Sequence, residues 1–168
     1  MKRIGRSIAA HLGAVCLGIV AIAATAAAEP AKGTITFKSK SGLATVDVKH
    51  AFLIKGPDRV SGKTIRRVLL SPTDVSAALK KCSDLTCSDA EVREGMTIDF
   101  DAGPRIKYWL VAIDQLVQYS GTADPSTIKL TTDAPDRVAG LWDFDDSAAG
   151  GPVIKVEFDA RLVKTLPK

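Results

Sequence analysis

The sequence has no asparagine, only two histidines and few aromatic residues, which make up 5% of the chain. His11 lies in an apolar N-terminal segment, so His50 is the only histidine beyond residue 28. A zinc site usually takes several histidine or cysteine ligands, so no metal or other cofactor is expected. A hydrolase with a histidine base would depend on His50. Because His50 lies between Val48 and Phe52 on the apolar side of an alternating segment, a packed structural histidine is the favoured interpretation.

The sequence also has little excess charge. The formal net charge is +4, and three of the bases, Lys2, Arg3 and Arg6, lie within the first 28 residues, which contain no acid. The remainder of the chain therefore has a net charge of only +1. This is too little for the electrostatic attraction on which nucleic-acid binding depends, so no nucleic-acid partner is expected.

The first 28 residues are predicted to form a signal peptide. The three bases precede an apolar run over 8–25, and alanines at 26–28 supply the small residues that a signal peptidase requires. A single transmembrane anchor is the alternative, but the strongly apolar core is shorter than the ~20 residues that a span needs. We therefore expect a periplasmic or secreted protein, with no membrane span after cleavage and a single β-rich domain over 29–168.

Two cysteines, Cys82 and Cys87, follow the predicted signal peptide. In an oxidising compartment, a pair with this spacing is most simply a disulfide. A redox-active pair would have the spacing C-x-x-C, and a zinc site would need further ligands nearby. The sequence therefore predicts a structural disulfide between Cys82 and Cys87.

Apolar and polar residues alternate along much of the chain, as is typical of antiparallel strands with one buried face. The pattern is clearest over 45–54, 97–101 and 154–162, and weaker strands are predicted between these segments. One short helix is predicted after the letters SPTD at 71–74, with Ser71 as its N-terminal cap. About nine short strands and one short helix indicate an all-β fold, either an antiparallel β-sandwich or a partly open barrel.

Three short motifs add a resemblance to other proteins. They are VDVKHAF at 46–52, VLLS at 68–71 and VEFDA at 156–160. In this order they resemble a family of small, uncharacterised bacterial exported (periplasmic) proteins with a KHA-aromatic strand and a VLLS/T strand before a short helix. The resemblance implies the same β-rich fold, and it carries no activity and no catalytic residues.

The pair Tyr108-Trp109 is the best candidate for a binding surface. Neighbouring strand residues point to opposite faces, so one ring points outward unless a second layer covers it. Ile106, Tyr108 and Leu110 form the smoother apolar series, which places Trp109 outward beside Lys107. Such a ring can stack on a planar or sugar group, or anchor a protein partner. Tyr108, Trp109 and Lys107 are therefore the candidate ligand- or partner-binding residues, and burial under a second layer is the alternative.

Acidic residues at 143, 145 and 146, together with Ser147, suggest an unconventional calcium site as a further alternative. The spacing lacks the glycine and the bidentate glutamate of an EF-hand. Acidic side chains on the exposed face of a strand, opposite bases on the next strand, are the simpler interpretation.

No catalytic residue is assigned from the sequence, because none of its segments forms a recognisable nucleophile–base motif. The leading hypothesis is an exported noncatalytic β-domain that binds a protein partner or a small ligand in the cell envelope. One alternative is a carrier of an apolar ligand, in which Phe52, Phe100, Trp142 and Phe158 line a barrel cavity. Another alternative is a hydrolase centred on His50.

Overall fold

The computed structural model describes residues 29–40 and 42–167, and its main feature is a sheet of nine strands. The predicted signal peptide, residues 1–28, lies outside the described residues. The strands are β1 (Glu29–Ser39), β2 (Gly42–Pro57), β3 (Thr64–Ser71), β4 (Gly95–Phe100), β5 (Ile106–Ala112), β6 (Val117–Ala123), β7 (Ile128–Ala134), β8 (Arg137–Asp145) and β9 (Val153–Thr165). The all-β prediction is confirmed, together with the number of strands.

The sheet is curled into a half-barrel. Its two edge strands are consecutive in the chain, and the short link between them requires the two edges to lie close together. The strand order is β6-β5-β4-β3-β2-β1-β9-β8-β7, so β6 and β7 are the edges. In a flat sheet they would be eight spacings, or ~38 Å, apart. The link from Ala123 to Ile128 reaches ~18 Å when fully extended. The edges must therefore converge, and of the two predicted architectures the partly open barrel is the one observed.

Strand β1 is inserted between β2 and β9 and pairs antiparallel with both. Past the N-terminal end of β1, where no strand separates them, β2 and β9 pair directly and in parallel, from Phe52 opposite Arg161 to Lys55 opposite Thr165. The pairing of β1 with β9 joins strands β1–β6 to strands β7–β9. We call this pairing the β1–β9 seam.

The concave side of the sheet is filled by an inner cluster of apolar side chains from all nine strands. Phe100, Trp142 and Phe158 are buried in it. The ring of Tyr108 stands edge-on to that of Trp142, with the centroids 5.5 Å apart. The Tyr108 hydroxyl donates a hydrogen bond to Asp146 at 3.0 Å. These contacts tie β5 to β8 and the loop after it across the interior.

Strand β2 changes the set of residues that face inward halfway along its length. Its members of the inner cluster are, in order, Ala44, Val46, Val48, Ala51 and Leu53. The predicted alternation of 45–54 on one face is therefore wrong beyond His50. Phe52 lies on the convex side, so it does not line the interior as the carrier hypothesis requires.

A second layer, which we call the outer cluster, covers β2, β3 and β5 on the convex side. The segment between β3 and β4 contributes Leu79, Leu85 and Val92 to this layer. The segment contains two short helices, α1 (Ser76–Leu79) and α2 (Leu85–Glu91). Burial of each large apolar side chain is worth ~1.5–3 kcal/mol, which holds the segment against the sheet.

The predicted helix begins later than the sequence suggests. Ser71 is a buried residue of β3, and its hydroxyl accepts a hydrogen bond from the amide of Thr73 at 3.1 Å. This turn uses the group that was expected to cap the helix, so α1 begins only at Ser76. Helix α2 was not predicted, and Asp84 caps it by accepting a hydrogen bond from the backbone amide of Cys87.

Candidate ligand-binding pocket

Strand β5 places Trp109 on the convex side of the sheet and Tyr108 on the concave side. Tyr108 is 3% exposed and belongs to the inner cluster. Burial and the hydrogen bond to Asp146 raise the pKa of its hydroxyl above the ordinary value. Trp109 is half-buried at the margin of the outer cluster. The pair has the expected orientation, and the second layer reaches Trp109 without covering it.

A pocket of about 500 Å³ lies beside Trp109 on the convex side. Two cross-strand rows of β4, β5 and β6 form its floor, one with Thr97, Trp109 and Ser120, the other with Asp99, Lys107 and Thr122. Arg67 of β3 and Asp89 of α2 also line it. Its volume is within the range of small-molecule sites, ~300–1,000 Å³.

Arg67 fixes the geometry of this pocket. It is only 8% exposed, and its guanidinium donates to both oxygens of Asp99, with Nη2 2.8 Å from Oδ2. Nη1 donates to the carbonyl of Leu85 at 3.0 Å and to Asp89 at 2.6 Å. A buried cation needs such partners, because removing one charge of a buried pair costs ~3–5 kcal/mol. The contacts connect β3, β4 and α2 in one arrangement.

The ion pair of Arg67 with Asp99 is stronger than its ion pair with Asp89. Burial by itself lowers the pKa of Arg67, but the hydrogen bonds and charges of Asp99 and Asp89 outweigh it and raise the pKa. Burial raises the pKa of Asp89, and the charge of Arg67 offsets this only in part. Asp99 binds through two oxygens and Asp89 through one. Asp89 is therefore the weaker partner.

Several polar groups of the pocket are available to a ligand. Within residues 29–40 and 42–167, no hydrogen bond or ion pair engages the Lys107 ammonium group, the Trp109 indole N–H, or the hydroxyls of Thr97 and Ser120. The Trp109 ring adds an apolar surface beside them. All three predicted site residues, Lys107, Tyr108 and Trp109, line the pocket, although the side chain of Tyr108 belongs to the inner cluster.

Cys82 and Cys87 form the predicted disulfide, with their Cα atoms 5.4 Å apart. The bond closes a short loop that leads into α2, the helix that carries Asp89. With Glu91, these cysteines are the one group of potential metal ligands in the described part of the chain. Since their sulfur atoms are bonded to each other, they do not form a thiolate metal site.

His50 does not belong to a recognisable catalytic arrangement. It is half-buried, and its ring lies parallel to that of Phe52 with the centroids 6.1 Å apart. Its cross-strand neighbours are Pro30 on β1 and Ser71 on β3, and the Ser71 hydroxyl is engaged with Thr73. The carboxylate of Asp74 interacts with His50 only at longer range and accepts a hydrogen bond from the Ser76 amide. Among the residues that the structure describes, nothing positively indicates catalysis.

The acidic residues near the end of β8 have local structural partners. Asp145 accepts a hydrogen bond from the amide of Ser147 at 2.9 Å. Asp146 accepts one from the Tyr108 hydroxyl, which attaches the β8–β9 loop to β5. In the described part of the chain, residues 143–147 do not gather into a set of potential metal ligands. The calcium alternative therefore has no geometric support.

Sequence reasoning missed the residues that hold the pocket in shape. The sequence does indicate that Arg67 is buried, because it is a base whose alternate neighbours in β3, Ile65 and Leu69, are apolar. A charge on a buried face requires a partner. The partner could not be named, since Asp99 depends on strand register and Asp89 on a helix that the sequence did not predict.

Comparison with protein-family models, curated proteins and solved structures found no match to this chain. The resemblance to exported bacterial proteins has no support from these comparisons and stays a prediction. Within the described residues, none of the helices has the length and apolar character to cross a membrane. The Cys82–Cys87 disulfide is compatible with an exported protein.

Proposed function

We propose that the protein is an exported, noncatalytic β-domain that binds a small ligand in the pocket beside Trp109. The observation that carries this proposal is the half-buried ring of Trp109 at a concave site of about 500 Å³ with unengaged polar groups around it. A flat apolar ring flanked by hydrogen-bonding groups suits the C–H face of a sugar or a planar molecule. A protein partner is less favoured, because stable protein interfaces bury ~1,200–2,000 Å² over broader surfaces.

The arrangement of charges supports a binding role over a catalytic one. Both carboxylates of the pocket, Asp89 and Asp99, are bound to Arg67. Neither is therefore placed as a free general acid or base. The same contacts hold the pocket in shape before a ligand arrives, which lowers the ordering cost of binding.

Nuclear magnetic resonance of the purified protein tests this proposal. The chain has two tryptophans, so its ¹⁵N–¹H spectrum contains two indole N–H signals, which Trp109→Phe assigns. The protein is titrated with a panel of neutral sugars, sugar acids, aromatic acids and nucleosides. We expect at least one compound to shift the Trp109 signal while the signal of buried Trp142 stays in place.

Two variants locate the binding site. Trp109→Ala lacks the reporting indole, so its binding is measured by titration calorimetry, and it should be weaker by about tenfold or more, because stacking on an aromatic ring contributes ~1–3 kcal/mol. Leu141→Ala, at an exposed position of β8, should leave binding unchanged. Binding that survives Trp109→Ala, or a Trp109 signal that no compound in the panel moves, would contradict the proposal.

A further inference from the structure

We propose that the ligand of this pocket carries an anionic group, a carboxylate or a phosphate, that binds Lys107 while the ligand's ring stacks on Trp109. This inference rests on the proposed function, since it requires that the pocket binds a small ligand. It makes Lys107 the residue that determines specificity.

Lys107 lacks a counter-ion on the strands beside it. It lies opposite Asp99 on β4 and Thr122 on β6. Both oxygens of Asp99 already accept hydrogen bonds from Arg67, so the nearest cross-strand carboxylate is neutralised. Nowhere in the described residues does an ion pair or hydrogen bond engage the Lys107 ammonium group. The carboxylate of Asp58, in the loop between β2 and β3, interacts with the Lys107 charge only at longer range and accepts a hydrogen bond from the Ser61 amide. An anionic ligand would supply the direct ion pair that Lys107 lacks.

A second base makes the β6 side of the pocket more positive. Arg105 donates hydrogen bonds to the hydroxyl of Thr122 at 3.1 Å and to its carbonyl at 3.2 Å, both of which are neutral oxygens. Its charge is offset at longer range by Asp124. The carboxylate of Asp89 lies on the α2 side and is bound to Arg67. A negative group is therefore attracted to the end of the pocket where Lys107 lies.

The spacing along β5 limits the size of the ligand. Lys107 and Trp109 are two residues apart on one face of the strand, which separates their Cα atoms by ~6.6 Å. A group attached to a six-membered ring stacked on Trp109 is within reach of the lysine ammonium. Ser120, in the same cross-strand row as Trp109, offers an exposed hydroxyl to the rest of the ring, and the largely buried Thr97 lies on the other side of Trp109. Sugar acids and aromatic acids share this chemistry.

Two matched pairs of probes test the inference through the Trp109 indole signal. The pairs are glucuronate with glucose, and benzoate with benzamide. We expect the acid of at least one pair to bind about tenfold more tightly than its neutral counterpart, and the pair that responds distinguishes a sugar acid from an aromatic acid. Lys107→Gln should remove this preference, and Lys129→Gln, exposed on β7, should keep it.

The possible results distinguish a failure of the anionic-ligand inference from a failure of the proposed function. Equal binding of acid and neutral probes would overturn the anionic ligand and leave the pocket's binding role intact. A preference for the acid that survives Lys107→Gln would overturn the assignment to Lys107. If neither these probes nor the wider panel shifted the Trp109 signal, both proposals would fail. An unchanged Trp142 signal in the variants establishes that they are folded.

Discussion

The guanidinium of Arg67 offers five N–H groups, and its main acceptors are two aspartates and a backbone carbonyl. Asp99 takes a bidentate pair, which is stronger than a single contact. Asp89 and the carbonyl of Leu85 accept from Nη1. Removing Asp99 leaves a buried cation with one carboxylate, whereas removing Asp89 leaves the bidentate pair intact. The two acids should therefore contribute unequally to stability.

Substitution of each acid by its amide measures this difference. Asp99→Asn should lower the free energy of unfolding by ~3 kcal/mol, because a buried charge loses its principal partner. Asp89→Asn should change it by less than ~1 kcal/mol, because burial already opposes the charge of Asp89 and an amide oxygen can still accept one hydrogen bond. Urea denaturation gives both values. Similar losses for the two variants would contradict the bidentate pair as the dominant contact.

The raised pKa of Asp89 predicts a pH dependence of stability. Burial raises its pKa in the folded protein above the ordinary value of 3.8, so the folded state holds this proton more tightly than the unfolded chain does. Stability is therefore lost as the pH rises from 3.8 through the folded pKa. We expect the free energy of unfolding of the unchanged protein, relative to Asp89→Asn, to fall over that interval. An increase would mean that attraction to Arg67 outweighs burial.

For the candidate pocket, sequence reasoning succeeds with single residues and fails with pairs. The orientation of Trp109 follows from strand alternation, which one sequence reveals. The pairing of Arg67 with Asp99 depends on which residues of β3 and β4 lie opposite each other, and register is set by turns and by the whole buried face. The unengaged charge of Lys107 depends on that same pairing.

Among the connections between strands, the β5–β6 turn has the least favourable backbone. Ile113, Asp114 and Gln115 have φ of 51°, 52° and 70°, which is the left-handed region. That region costs non-glycine residues ~1–2 kcal/mol each, and a β-branched side chain suits it least. Arg93 forms a bidentate ion pair with Asp114 at the same turn. The turn is therefore held by its contacts and not by backbone preference.

Ile113 is the position where this cost can be reduced. Ile113→Asn should raise the free energy of unfolding by ~1 kcal/mol, because asparagine enters the left-handed region more readily. Ile113→Val keeps the β-branch and should bring no such gain. Thermal unfolding of both variants provides the comparison. A loss of stability in Ile113→Asn would show that apolar contacts of this half-exposed side chain matter more than its backbone.

The disulfide of the segment between β3 and β4 should contribute modestly to stability. Closing so short a loop is worth ~2 kcal/mol by chain entropy. Intact mass should increase by two hydrogens on reduction of Cys82–Cys87, and the free energy of unfolding should fall by no more than that amount. Free thiols in protein isolated from an oxidising compartment would contradict the assignment. A much larger loss on reduction would contradict the modest contribution predicted for the bond.

Most of the elements could be predicted from the sequence, because a half-buried strand leaves a period of two. The prediction failed where a second layer changes the pattern. Beyond His50, β2 is buried on both faces, so its apolar residues no longer identify one side. The start of α1 was wrong for a local reason, since the Ser71 hydroxyl forms a turn with Thr73 instead of a cap.

On the scale of the whole molecule, contacts across the concave interior hold the curl of the sheet. Tyr108 of β5 packs against Trp142 of β8 and donates a hydrogen bond to Asp146 in the following loop. Gly121 of β6 makes room for the tyrosine, since a Cβ atom there would lie 2.3 Å from its ring. Because Gly121 has no side chain, the Tyr108 ring can extend from β5 to Trp142 and Asp146 in the opposite half of the molecule.

Removing the Tyr108 hydroxyl should weaken this connection. Tyr108→Phe should lower the free energy of unfolding by ~1–2 kcal/mol, because a hydrogen bond to a charged partner is lost while the ring stays in place. Tyr119→Phe is the matched control and should cost less, since its hydroxyl lies 3.4 Å from the same carboxylate. Chemical denaturation compares the two variants. A larger effect at Tyr119 would contradict the role given to Tyr108.

The β1–β9 seam also imposes an order on folding. Within β1–β6 and within β7–β9, each strand pairs with the next along the chain. Most of these contacts close short loops, and the exception is the segment with α1 and α2 between β3 and β4. At the seam, Ile35 meets Ile154, about 120 residues away in the sequence. The entropic cost of closure grows with loop length, and distant pairings slow folding. Strands β1–β6 and strands β7–β9 can therefore form early and separately. The slow step is the pairing of β9 with β1.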